Sequence, residues 1–230
     1  MLVLMRTNPI GYTIPYEGVS RPLRFDEAIS QFDAIGLQDP KTLSYAGESW
    51  PAEFLLAQAL CQRVIQLNPN ASEALLLASR CQHLGRWKRP RHTFPSGRQG
   101  YLDWRAQLKT YHADLAAGIL RECGYGPRIL STVRSLNLKE NIKGCAACQA
   151  IEDALCLVFL QFQFDDIIAR YPEGKVLAIL RKTARKMSPA GLDAAGKMPH
   201  SPAASTLLSK LLDQGLKTAP EPFHDNVQDS

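Results

Sequence analysis

Ala154-Leu-Cys-Leu-Val-Phe-Leu-Gln-Phe-Gln-Phe164 is apolar on almost every side when wound into a helix. The pattern around it predicts a helix over about Ala147 to Arg170. A helix apolar all round belongs in the middle of a bundle. No apolar run in the chain reaches the roughly 18 residues of a membrane span, so this run reads as core.

Its neighbours read the same way. Pro127 opens a helix to about Leu138, and a polar connection over 139–146 follows. Tyr101 to Cys123 carries the apolar stripe Tyr101, Trp104, Leu108, Tyr111, Leu115 and Ile119, and Gly124 and Gly126 stop it. Arg89 to Gly97 is a loop with two prolines and a glycine. A helix capped by Asn70 or Ser72 runs to about Trp87. Pro51 opens another, Ala52 to Leu67, and residues 41–50 are a loop. The first helix spans about Phe25 to Leu37, with Asp26 and Glu27 where the helix dipole favours acids. Residues 1–24, with Pro9, Gly11, Pro15, Gly18 and Pro22, read as an irregular arm. Downstream, Pro172 opens a helix to about Lys186. Beyond Met187 the chain is rich in Ala, Gly, Pro and Ser, with one weak amphipathic piece from Ala204 to Leu216 and a polar, acidic end expected to be disordered. Alternating strand patterns are nearly absent. The expectation is an all-α fold: a single helical bundle over 25–191, an irregular N-terminal arm at 1–24 and a loose tail at 192–230 with one weak helix.

Apolar residues are 45% of the chain and charged residues 21%, an ordinary globular composition. Six cysteines are too few for a disulfide scaffold and read as reduced thiols. Met1-Leu-Val-Leu-Met-Arg6 is too short for a signal peptide. A cytoplasmic protein with no membrane partner is expected, and its oligomeric state stays open. The net charge of +5 is uneven: Arg80, Arg86, Lys88, Arg89, Arg91, Arg98, Arg105 and Lys109, against Asp103 alone, give residues 80–109 a charge of +7 and leave −2 for the rest. Such a field attracts anions, and arginines hold phosphate or carboxylate in a bidentate way.

Polar residues on apolar helices add to this. Leu76, Arg80, His83 and Trp87 share a face at helical spacing. His112 lies four residues after Leu108 and three before Leu115, at the border of the core, with Arg105 and Lys109 nearby on the same helix. Gln149 and Asp153 are four apart, beside Glu152, at the mouth of the apolar helix. A buried acid there needs a metal or a partner such as Arg80 or Arg105. Two histidines and a carboxylate suit Mn²⁺, Fe²⁺ or Zn²⁺. The alternative is that each histidine is a hydrogen-bonded core residue. Trp87 and Trp104 flank the basic loop and either stack on a base or pack in the core. Cys145-Ala-Ala-Cys148 has the spacing of a redox or zinc pair, without a second pair or a thioredoxin-like strand, and reads as two thiols near a helix start.

The run Gln82-His83-Leu84-Gly85-Arg86-Trp87-Lys88-Arg89-Pro90-Arg91, then Gly97-Arg98-Gln99-Gly100-Tyr101-Leu102-Asp103-Trp104-Arg105, Tyr111-His112-Ala113 and Gly124-Tyr125, resembles the family named "domain of unknown function 4202". Gln149, Glu152-Asp153-Ala154, Leu157-Val158-Phe159-Leu160 and Lys182-Thr183-Ala184-Arg185-Lys186-Met187-Ser188 fit it too, so the resemblance covers about Phe25 to Gly191. More distantly, the chain is similar to HD-domain metal phosphohydrolases. Gln82-His83 stands where their His-Asp pair would, and Ala52 to Leu67 holds no histidine and a single acid, Glu53. This resemblance implies an HD-like bundle whose divalent-metal site is either rebuilt from His83, His112 and Asp153 or lost; in the rebuilt site Glu152, Arg105 and Lys109 would be the catalytic groups. Arg80, Arg86, Arg89, Arg91, Arg98, Trp87 and Gln149 would bind the substrate. The expected function is a metal-dependent phosphohydrolase acting on a small phosphorylated or nucleotide-like molecule. The alternative is a non-catalytic module that binds an anion, a nucleotide or RNA.

Overall fold

The computed structural model describes residues 8–140 and 144–213, and ten α-helices and one β-hairpin form among these described residues. The all-α expectation holds. The described residues fall into two compact units, one ending at 140 and the other starting at 144.

In the first unit, the described part of the arm, from residue 8, holds a single 3-10 turn at Tyr16–Gly18, and Ile10 and Val19 are buried. α1 (Pro22–Gly36) starts three residues earlier than the sequence predicts, because Pro22 takes the first-turn position that needs no N–H. Residues 41–50, expected to be a loop, hold β1 (Thr42–Tyr45) and β2 (Glu48–Pro51), paired antiparallel with Leu43 opposite Trp50. Their two-residue turn puts both Ala46 and Gly47 at positive φ, 52° and 81°. Four-residue strands are too short to show alternation, and an alanine hides the usual Asn-Gly signal.

α2 (Ala52–Leu67) and α5 (Pro127–Leu138) have their expected bounds. α3 (Glu73–Cys81) has every residue buried and packs on α1, α2 and α5. It ends six residues before Trp87, so the face expected to join Leu76, Arg80, His83 and Trp87 does not form as one helix. α4 (Gly97–Glu122) is the longest described helix and packs on α5. The core of this unit includes Phe25, Phe32, Phe54, Leu55, Leu75, Leu76, Leu77, Leu120 and Val133.

In the second unit, α6 (Ala146–Phe162) buries Ile151, Ala154, Leu157 and Leu160, as its all-round apolar run predicts. Gln163 leaves helical geometry, so the helix expected over 147–170 is two: α6 and α7 (Phe164–Arg170). α8 (Glu173–Ala184) follows. In the stretch expected to be a loose tail with one weak helix over Ala204 to Leu216, α10 (Pro202–Asp213) forms where that helix is expected, and α9 (Pro189–Lys197) forms ahead of it. Each starts at a Ser-Pro step. Ser188 Oγ accepts from Gly191 N–H at 3.1 Å and Ser201 Oγ from Ala204 N–H at 3.1 Å, which satisfies first-turn donors. Ala204, Leu207 and Leu211 are buried, and α10 packs on α7 and α8. The acidic end expected to be disordered lies outside the described residues. No described helix is long and apolar enough to cross a membrane.

Candidate functional site

Glu53, on the first turn of α2, organises the basic loop. Its Oε1 accepts from Gly85 N–H at 2.5 Å, and the nearby backbone N–H groups of Arg86 and Trp87 also favour its charged form. Burial pushes this carboxyl up to about 7, and the three N–H groups oppose the shift. Gly85 has φ +71°, and a Cβ there would lie 3.0 Å from Tyr111 Oη, so both its backbone angle and its surroundings call for glycine. The chain turns at Gly85 and carries His83 and Arg86 onto α4.

His112 is buried on α4, and its Nδ1 lies 2.8 Å from the Leu84 carbonyl. A carbonyl only accepts, so Nδ1 carries the proton and Nε2 keeps its lone pair. The His83 and His112 rings are edge to face, with centroids 6.2 Å apart. Burial brings His112 down to about 4. Burial also holds half-buried His83 well below the usual imidazole range, helped by the positive charges of Arg86, Lys139 and Arg105. Both imidazoles are therefore neutral near pH 7.

Four cations of the basic segment lie against aromatic rings. Arg86 is 4.8 Å from the centre of Trp104, Arg89 4.6 Å from Tyr111, Lys88 5.1 Å from Trp87 and Arg105 6.0 Å from Tyr101. Trp104 Nε1 donates to the Arg89 carbonyl at 2.9 Å, which fixes the loop against α4. Beside Arg89 and Tyr111 runs an open groove of about 600 Å³, lined also by Gln107, Thr110 and Asp114. A guanidinium placed over a ring has its N–H fork at the edge, the geometry that grips phosphate.

The expected site residues divide. His83, His112, Arg86, Arg89, Arg105 and Trp87 come together on the first unit. Lys109 is half-buried on α4, and Arg98 is exposed on its first turn. Arg91 folds its own loop by donating to the carbonyls of Phe94 and Gly97. Arg80, expected to bind substrate, is spent inside the protein: it pairs with Asp33 and bonds to Gln58 and Tyr12. Gln149, Glu152 and Asp153 are on α6 of the second unit. Asp153 accepts from Ser188 N–H at 2.8 Å, Ser188 Oγ at 2.6 Å and Gln149 Nε2 at 2.9 Å. Gln149 also donates to the Lys186 carbonyl. Among the described residues no three His, Cys, Asp or Glu side chains are grouped so as to hold a metal ion. Lys139 and the Leu84 carbonyl are parts of the site that no sequence pattern marks, because only the fold brings them to the histidines.

A family model described as Domain of unknown function (DUF4202) matches residues 26–208. No curated protein and no solved structure matches the chain.

Proposed function

The chain belongs to the DUF4202 family, and we propose that it is a binding module for a phosphate-bearing, nucleotide-like ligand, held on the first unit by Arg86, Arg89 and Arg105. One observation supports the reading: four cation–ring pairs lie on the loop and helix that carry two adjacent imidazoles, and burial, with the charges of Arg86 and Arg105, keeps those imidazoles neutral. An anion there would relieve the mutual repulsion of the cations, and the groove beside Tyr111 would take a base; Trp104, at 2% exposure, packs in the core. Neutral His83 and His112 act as hydrogen-bond partners. Loss of binding in Arg86→Ala and Arg105→Ala, by at least about tenfold in calorimetry with mononucleotides, is the expected outcome. Unchanged affinity in both variants would overturn the reading.

A metal-dependent phosphohydrolase is the second reading, after the HD-like resemblance. What favours it is His112 Nε2, which keeps its lone pair beside the His83 ring. It needs a third ligand, the role expected of Asp153, and the described residues group none with the two histidines. Metal content per chain separates the two readings. About one transition metal per wild-type chain, lost in His83→Ala and His112→Ala, would favour the hydrolase; nucleotide binding by metal-free protein would favour the module.

A further inference from the structure

We propose that Cys145 and Cys148 form a redox-active dithiol site that reacts with small disulfides. Cys145 is the N-cap of α6, and its sulfur accepts from Cys148 N–H at 3.2 Å. The Cys148 thiol is itself hydrogen-bonded to the Cys145 sulfur. The two sulfurs therefore face each other across one turn. Residues three apart on a helical turn lie about 5–6 Å apart, within the span a disulfide bridges.

The pair is asymmetric in the way such chemistry requires. Of the six cysteines only Cys145 is not buried. Cys148 is 4% exposed, and burial, with Cys145 beside it, pushes its thiol up to about 12. Cys145 is thus the sulfur a small disulfide reaches, and Cys148 is the one that resolves the adduct. The Cys145 thiolate attacks one sulfur of the small disulfide, the S–S bond breaks and the first small thiol leaves. Cys148 then gives its proton to solvent and attacks the Cys145 sulfur, and the second small thiol leaves. In balance, one small disulfide is reduced to two thiols and the Cys145–Cys148 pair is oxidised to a disulfide. The product turns a hydrogen-bonded cap into a covalent clamp on the first turn of α6, just ahead of Gln149 and Asp153.

The test is to incubate the full chain with mixtures of oxidised and reduced glutathione, quench in acid, alkylate and map the peptides. The expected result is loss of two of six thiols as a 145–148 link, reversed by dithiothreitol, with Cys61, Cys81, Cys123 and Cys156 still alkylated. Cys148→Ser should trap one glutathionyl group on Cys145. Cys145→Ser should slow thiol loss by at least about tenfold, since the thiols it leaves are buried. Circular dichroism confirms that both variants keep their helices, and the wild-type map stands by itself if either does not. No 145–148 link under fully oxidising conditions, a link to another cysteine, or unchanged thiol loss in a folded Cys145→Ser protein would overturn the proposal.

Discussion

Glu53 is ionised only against the cost of its burial, and His112 is protonated only against the same cost. Together they give the first unit two opposed pH dependences. The Glu53 carboxyl titrates at about 7 in the fold against 4.5 for a free carboxyl. The folded chain holds that proton more tightly, so the contribution is complete below 4.5 and is lost as pH rises from 4.5 through 7. Glu53→Gln should remove this fall, which in wild type amounts to on the order of 3 kcal/mol between pH 4 and pH 8. His112 titrates at about 4 against 6.5. The unfolded chain holds that proton more tightly, so the contribution is full above 6.5 and is lost as pH falls through 4. His112→Gln should therefore flatten the acid limb. Urea midpoints from pH 4 to 8 on the three proteins check both, and a pH slope for Glu53→Gln that runs parallel to wild type would refute the first. The stripe through Leu108 and Leu115 places His112 at the core border, because α4 is one continuous helix. His83 escapes that reasoning, because the helix ends at Cys81 and Gly85 turns the chain. Glu53 carries no local signal, since its main donor, Gly85, lies 32 residues away.

Asp153 shows the same limit at the level of helices. An acid at the mouth of an apolar helix has to find a partner, and that much is readable from the pattern. Its hydrogen-bond partners are Ser188 and Gln149 rather than an arginine, and the pattern hides this because Ser188 reaches it from 35 residues along the chain. This contact also accounts for structure in the stretch expected to be loose: Asp153 holds Ser188, and Ser188 caps α9. The Ser-Pro steps before α9 and α10 are the legible signal, and a composition rich in Ala, Gly, Pro and Ser masks it. Asp153→Ala removes three hydrogen bonds to one buried carboxylate and should cost about 2–4 kcal/mol. Gly191→Ala should also destabilise, because its Cβ would lie 2.6 Å from Asp153 Oδ1. Limited proteolysis should then cut near residues 185–190 in both variants before wild type. Protection equal to wild type in Asp153→Ala would show that the carboxylate does not hold α9.

Across the whole molecule, the parts proposed to bind phosphate fall within one compact unit. His83, Arg86, Arg89, Arg105, His112 and Lys139 all precede residue 141, and so does Glu53, which shapes their loop. That unit has its own core, from Phe25 on α1 to Val133 on α5. A chain of residues 1–140 should therefore fold alone, with helical circular dichroism and a cooperative melt. It should bind mononucleotides within about threefold of the full chain, because no residue of the proposed grip is lost. Binding should weaken with salt by a small slope, about one to two phosphates' worth, if the ligand is a mononucleotide. A slope several times steeper with an RNA oligomer, at higher affinity, would identify a polyanion as the ligand. The informative failure is a fragment that folds and does not bind. That result would place an essential group at or after residue 141. It would overturn the reading that Arg86, Arg89 and Arg105 of the first unit suffice to hold the ligand.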